Sequence, residues 1–105
     1  MQSQSQIIDR LVQAIVELVH PLQIILFGSA ARGEMSPDSD IDLLVVMPNG
    51  THRRNTARYL YQYLPVISIS YDIIVATTID LEKHKDNIGL IYYYILKEGK
   101  SIYAA

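Results

Sequence analysis

The 105-residue chain contains no cysteine, which excludes disulfides, thiolate metal sites and a cysteine nucleophile. No apolar run approaches the ~20 residues that a membrane-spanning helix needs. The opening Met1-Gln2-Ser3-Gln4-Ser5-Gln6 lacks the basic and apolar regions of a secretory signal, so a cytoplasmic protein with no membrane partner is expected. A broad positive field is missing too. Lys and Arg number 9 against 11 Asp and Glu, for a net charge of −2, so direct nucleic-acid binding is not expected. The one basic cluster, Arg53, Arg54 and Arg58, reads as a solvated helix face. The length suits one core and leaves little for a second lobe, so residues 1–105 are taken as a single domain.

What is present is a folded domain's composition: 50% hydrophobic and 19% charged residues. Over residues 6–19, Ile8, Leu11, Val12, Ile15, Leu18 and Val19 recur at helical spacing, with Ile7 and Val16 at the edges of the stripe. Pro21 pushes His20 out of the α region and stops that helix. Residues 22–27 are a short apolar run read as a buried strand, broken by Gly28-Ser29. Residues 29–33 suggest a short helix and 34–39 a loop. Residues 40–47 form a second strand. Thr51 can cap a helix to about Leu64, with Ala57, Leu60, Tyr61 and Leu64 inward. A third strand over 67–76, a short helix near 80–85 and a longer one over 87–98 follow, with Gly99 at the C′ position of the last. The order predicts an α/β fold, a small mixed sheet flanked by helices, although periodicity leaves the strand directions open.

Three features of this order carry chemistry. Asp40 and Asp42 stand two apart in a strand, so their carboxylates share a face, ~7 Å apart along the backbone. Side by side they repel, and a hard cation such as Mg²⁺ or Mn²⁺ between them relieves the repulsion. Two solvated acids at a strand start would look the same, and Asp-x-Asp by itself discriminates poorly. Asp72 narrows the choice. It lies inside an apolar strand, where a charge is costly unless solvated, paired or metal-bound. If the third strand lies beside the second, Asp72 completes a three-carboxylate site that can hold two metal ions ~3.5–4 Å apart, the spacing of in-line phosphoryl chemistry. Gly28-Ser29 precedes a helix start, where glycine permits close backbone approach and free N–H groups attract a phosphate.

Gly28-Ser29-Ala30-Ala31-Arg32-Gly33 with Ser39-Asp40-Ile41-Asp42-Leu43 resembles the signature of the polymerase-β-like nucleotidyltransferase superfamily. More closely, the chain resembles the minimal nucleotidyltransferases, the antitoxin half of HEPN/MNT toxin–antitoxin pairs. The resemblance runs from the first strand through the third, and the ending Leu96-Lys97-Glu98-Gly99-Lys100-Ser101-Ile102-Tyr103 shares it. It implies a polymerase-β-like nucleotidyltransferase fold and the transfer of AMP from ATP. Asp40 and Asp42 would bind the metal that carries the triphosphate. Asp72 would join them at a second ion and help activate the attacking hydroxyl. Gly28 and Ser29 would hold the phosphates. Arg32 matches the family's arginine, as a phosphate contact or as an ion-pair partner of a loop acid. Ala30 departs from the pattern, since many relatives carry arginine there, and one positive charge near the triphosphate is thereby missing.

Small size adds a further expectation. With no lobe to grip an acceptor, the chain should act on a macromolecule that brings its own docking surface. The resemblance implies the cognate HEPN ribonuclease toxin, modified on a tyrosine, in a hetero-oligomer. Two rival functions remain on the residues alone: an antitoxin that neutralises by binding only, and a small-molecule nucleotidyltransferase of the antibiotic-modifying kind. His20, His52 and His84 stand at no metal-ligand spacing. Tyr92, Tyr93 and Tyr94 cannot all face one core, which leaves either snorkelling rings or a partner contact.

Overall fold

The computed structural model of the protein describes residues 3–33, 40–87 and 90–105. The expected loop at 34–39 and residues 88–89 of the expected last helix lie outside them. Helix α1 (Gln4–Val19) starts earlier than the hydrophobic stripe indicates. The cause is a capping box: Ser3 Oγ accepts from the Gln6 N–H at 3.2 Å, and Gln6 Oε1 accepts from the Ser3 N–H at 2.9 Å. Two otherwise orphaned donors are satisfied, and the polar opening becomes helical. The buried row is Ile7, Leu11 and Ile15, so the stripe is centred on Ile7 and not on Ile8. His20 closes the helix with its N–H on the Val16 carbonyl at 3.0 Å. It leaves the right-handed α region as expected, yet into the left-handed one (φ 48°) and not into extended backbone.

Strands β1 (Gln23–Phe27), β2 (Ile41–Met47), β3 (Tyr71–Thr77) and β4 (Lys100–Ala104) form one sheet in the order β3-β2-β1-β4. β1 runs antiparallel to both β2 and β4. β2 and β3 are parallel, which requires a crossover, and α2 (Arg53–Tyr63) supplies it. α3 (Thr78–His84) and α4 (Ile91–Glu98) complete the chain. The expected α/β architecture, a small mixed sheet flanked by helices, is therefore present. Among the described residues no helix is long and apolar enough to cross a membrane.

β2 lies between two neighbours and under both layers, and every residue in it is buried except Asp42. On one face Ile41, Leu43, Val45 and Met47 meet Leu11 and Ile15 of α1 and Leu60 of α2. On the other, Leu44 and Val46 meet Ile25, Ala76 and Ile95, with Leu81 and Tyr92 packed alongside. A near-continuous apolar run is what a strand covered on both faces requires.

Several boundaries move from the sequence expectation. His52, not Thr51, caps α2, its Nδ1 accepting from the Asn55 N–H at 3.1 Å. Tyr61, expected inward, is 48% exposed and lies along the sheet edge, its hydroxyl accepting from the Ile73 N–H at 2.7 Å. β3 starts at Tyr71, so Ser68 and Ser70 precede the strand and do not line its face with Asp72. α3 begins at Thr78 because Thr77 and Asp80 form a second capping box. α4 begins at Ile91, with Asn87 outside it.

β4 was not expected at all. Among the described residues it pairs only with β1, and its side chains are exposed or half-buried, so no alternating apolar pattern marks it. Gly99 joins α4 to β4 in extended backbone (φ −73°, ψ 161°), not in the left-handed form of a C′ glycine. Its requirement is space. A Cβ there would stand 2.5 Å from Ile25 Cγ2 and 2.5 Å from the Ile95 carbonyl oxygen. Gly99→Ala should therefore lower stability by about 1–3 kcal/mol, the usual cost of overpacking. Urea denaturation followed by circular dichroism measures it; an unchanged midpoint would show that the junction has slack.

Candidate active site

The strand order decides where the acids meet. Asp42 is the second residue of β2 and Asp72 the second of β3, and the parallel ladder pairs them directly. Partners across a ladder point to the same side, so both carboxylates leave the face that carries Leu44 and Ile74, the face packed by α3 and α4. Asp40 precedes β2 by one residue and shares that parity. On its other flank Asp42 pairs with Phe27, the last residue of β1. The third acid thus stands beside its two companions at one end of the sheet, not across it.

Gly28 follows Phe27 with φ +71°, a left-handed conformation natural to glycine. A Cβ built there would run into the Asp42 carboxylate at Oδ2. The close approach expected of this glycine is therefore made first of all to Asp42. The backbone turns through a single 3-10 turn, Gly28–Ala30, and not through the longer helix expected at 29–33. The Arg32 N–H is shared between the carbonyls of Gly28 (3.3 Å) and Ser29 (3.2 Å), which holds the turn shut. Ser29 is half-buried in it, one residue from the acid cluster. Ser39 lies outside the described residues.

Electrostatics separate Asp42 from an ordinary surface acid. Its carboxyl is pushed above the usual range, first by burial and then by the negative charges of Asp72 and Asp40. Asp80 provides the contrast. Its carboxylate accepts from the Thr77 N–H at 2.9 Å as a helix cap, and that bond, more than Arg53 or His84, holds its pKa down. One acid is stabilised by the fold; the other is crowded by it. Crowded carboxylates at a strand end mark a place where a cation or a proton is wanted.

An open cavity lies beside Gly28, walled by Phe27, Arg32, Ile91, Tyr94 and Glu98. Of these only Gly28 and Arg32 were expected at the site. The α4 residues were missed because the contact of α4 with β1 is made between distant parts of the chain and leaves no pattern in the sequence. The three tyrosines divide. Tyr92 stacks on His84 (centroids 6.2 Å apart), Tyr93 lies 5.5 Å from Lys97 Nζ, and Tyr94 is 50% exposed at the cavity. His52 and His84 thus have structural partners.

Comparison with known proteins follows this geometry. The nucleotidyltransferase domain family matches residues 8–100. No match was found among curated protein sequences. A solved structure from Sulfolobus solfataricus, described as a candidate nucleotidyltransferase, is 19% identical, covers 98% of this chain and 90% of its own, and superposes with a TM-score of 0.55. A chain from a toxin–antitoxin structure with AMP-PNP is 22% identical over 99% of this chain and 75% of its own, with a TM-score of 0.50. Likeness at these identities establishes the common fold.

The crowding of Asp42 makes a prediction about pH. A carboxyl whose folded pKa lies above its unfolded value keeps its proton longer in the native state. Its contribution to stability is then most favourable in acid and declines as pH rises through the folded pKa. Asp42→Asn removes that decline. Without divalent cations, the variant should melt above the wild type at pH 7, and the two should converge as pH falls toward the ordinary carboxyl value of 3.8. A variant that melts lower at pH 7 would mean that the carboxylate is held by favourable contacts and not crowded.

Proposed function

Because the chain belongs to the nucleotidyltransferase domain family, we propose that it transfers AMP from ATP to a tyrosine of a cognate HEPN ribonuclease toxin, with Mg²⁺, and so acts as that toxin's antitoxin. The observation that carries this reading is the direct pairing of Asp42 with Asp72 under Gly28, with Asp40 close enough to add its charge.

The donor set suits a hard divalent cation, Mg²⁺ or Mn²⁺. Among the described residues no three acids or histidines make a ready cage for a metal ion. A Mg²⁺ site needs only one or two protein carboxylates, with substrate phosphates and waters completing its shell. When bound, the ions, two in this reading, neutralise the acids and the triphosphate and polarise the α-phosphate. Asp40 and Asp42 would hold the ion that accompanies the triphosphate, and Asp72 would reach the second. The turn at Gly28 and Ser29 presents backbone and hydroxyl donors to the phosphates, and Arg32 adds a guanidinium at the cavity wall.

The transfer balances simply. The acceptor hydroxyl oxygen bonds to the α-phosphorus, the bond from that phosphorus to its bridging oxygen breaks, and pyrophosphate leaves. Asp72 orients the hydroxyl and receives its proton. Positioning and charge neutralisation supply the catalysis. The likeness to a toxin–antitoxin chain crystallised with AMP-PNP supports both the nucleotide and the partner in this reading.

The test uses ATP labelled at the α-phosphate, Mg²⁺ and the product of the neighbouring gene, the proposed partner. Label should appear on the partner, and Asp42→Asn should reduce it about a hundredfold or more, the scale for losing a group that stabilises transition-state charge. Chelation of Mg²⁺ should abolish it. Full toxin neutralisation by a folded protein carrying both Asp40→Asn and Asp42→Asn would overturn the proposal in favour of an antitoxin that works by binding alone.

A further inference from the structure

Among the described residues β3 is an edge strand, with β2 on one side and no strand on the other. Edge strands fray at their ends, and Asp72 is only the second residue of this one. It pairs directly with Asp42 across the ladder, and like charges in register are destabilising. Something must hold it in place, and the strand itself supplies little at that end.

Tyr61 of α2 reaches this edge. Its hydroxyl accepts from the Ile73 N–H at 2.7 Å and lies 3.5 Å from the Ile73 carbonyl oxygen, where it can donate. It stands in for the missing strand at the residue after Asp72. Its ring stacks on Tyr71, the residue before Asp72, with centroids 6.1 Å apart and planes 4° apart. Tyr71 and Ile73 lie on the helix α1 and α2 side of the sheet, opposite the acids. We propose that Tyr61 is a positioning residue: from behind the sheet it clamps both neighbours of Asp72 and so fixes that carboxylate beside Asp42.

The clamp extends to the acid pair of β2. Tyr71 pairs in register with Ile41, which lies between Asp40 and Asp42. The Ile41 N–H donates to the Ser70 carbonyl at 2.9 Å, the hydrogen bond that starts the ladder at the acid end. Burial does not explain Tyr61, since nearly half of it is exposed. Tyr59 and Tyr63 show the alternative for a tyrosine on this helix: they are also exposed, and their tilted rings contact each other with centroids 4.8 Å apart. The effect on catalysis rests on the nucleotidyl-transfer reading above; the clamp does not.

Tyr61→Phe keeps the ring and removes the hydroxyl. Native-state amide exchange, read by NMR without metal, tests the clamp. Exchange should quicken about fivefold or more at Ile73, the factor for one net hydrogen bond, and it should quicken at Ile41 as well, which Tyr61 does not touch. Tyr59→Phe should change neither. In the transfer assay, Tyr61→Phe should lower kcat about tenfold with a much smaller rise in KM for ATP, because the clamp acts first on Asp72, while Gly28 and Ser29 are untouched. Faster exchange at Ile73 with no change at Ile41 would overturn the proposal, as would equal kcat in an active enzyme. If the wild type transfers no nucleotide to any partner, the functional reading fails, and exchange at Ile41 alone decides the clamp.

Discussion

Like charges at one end of a sheet have to be held together against their repulsion, and most of this small structure can be understood as the means of doing so. Asp42 is the single residue of β2 that is not sealed in the core. The strand cannot slide to relieve it, because a shift by one residue would turn Leu44 and Val46 out of one hydrophobic layer and Leu43 and Val45 out of the other. The apolar part of the strand therefore fixes the register, and the register forces Asp42 against Asp72. Gly28 yields the space that the carboxylate occupies. Crowding carboxylates in this way costs stability, and it does so at the position the fold holds most firmly.

Two helical layers share that task unequally. α1 and α2 close the face behind the acids and carry the larger part of the core. α3 and α4 cover only part of the opposite face, and the acids, Gly28 and the cavity bounded by Tyr94 and Glu98 lie on that more open side. The division puts most of the core behind the acids and leaves the cavity on their own side. Membership in the nucleotidyltransferase domain family fits this layout, since the family matches from within α1 to the start of β4.

Much of this was legible in the sequence, and the reasons are local. Asp40, Asp42 and Gly28 carry spacing that chemistry restricts, and the long apolar run of β2 announces a strand covered on both faces. Asp72 was readable only as an acid out of place; its pairing with Asp42 needed the parallel register, which no periodicity encodes. The weaker elements were not legible. β4 is an exposed edge strand without an apolar stripe, and Gly99 reads as a helix terminator until Ile25 and the Ile95 carbonyl are seen beside it. Tyr61 sits at core spacing on α2, yet it serves the sheet edge through its hydroxyl, a contact that depends on where β3 ends up. The start of α1 at Gln4 is not legible, because a run of serine and glutamine looks unstructured until the capping box of Ser3 and Gln6 forms.

In the proposed function Asp40, Asp42 and Asp72 act as one cation-binding unit. Anomalous diffraction from crystals grown with Mn²⁺ and AMP-PNP tests it without relying on turnover. The account predicts scattering peaks within bonding reach of Asp42, shared with Asp40 and Asp72, and triphosphate density against Gly28 and Ser29. Manganese bound elsewhere with nucleotide in place, and these three carboxylates bare, would contradict it.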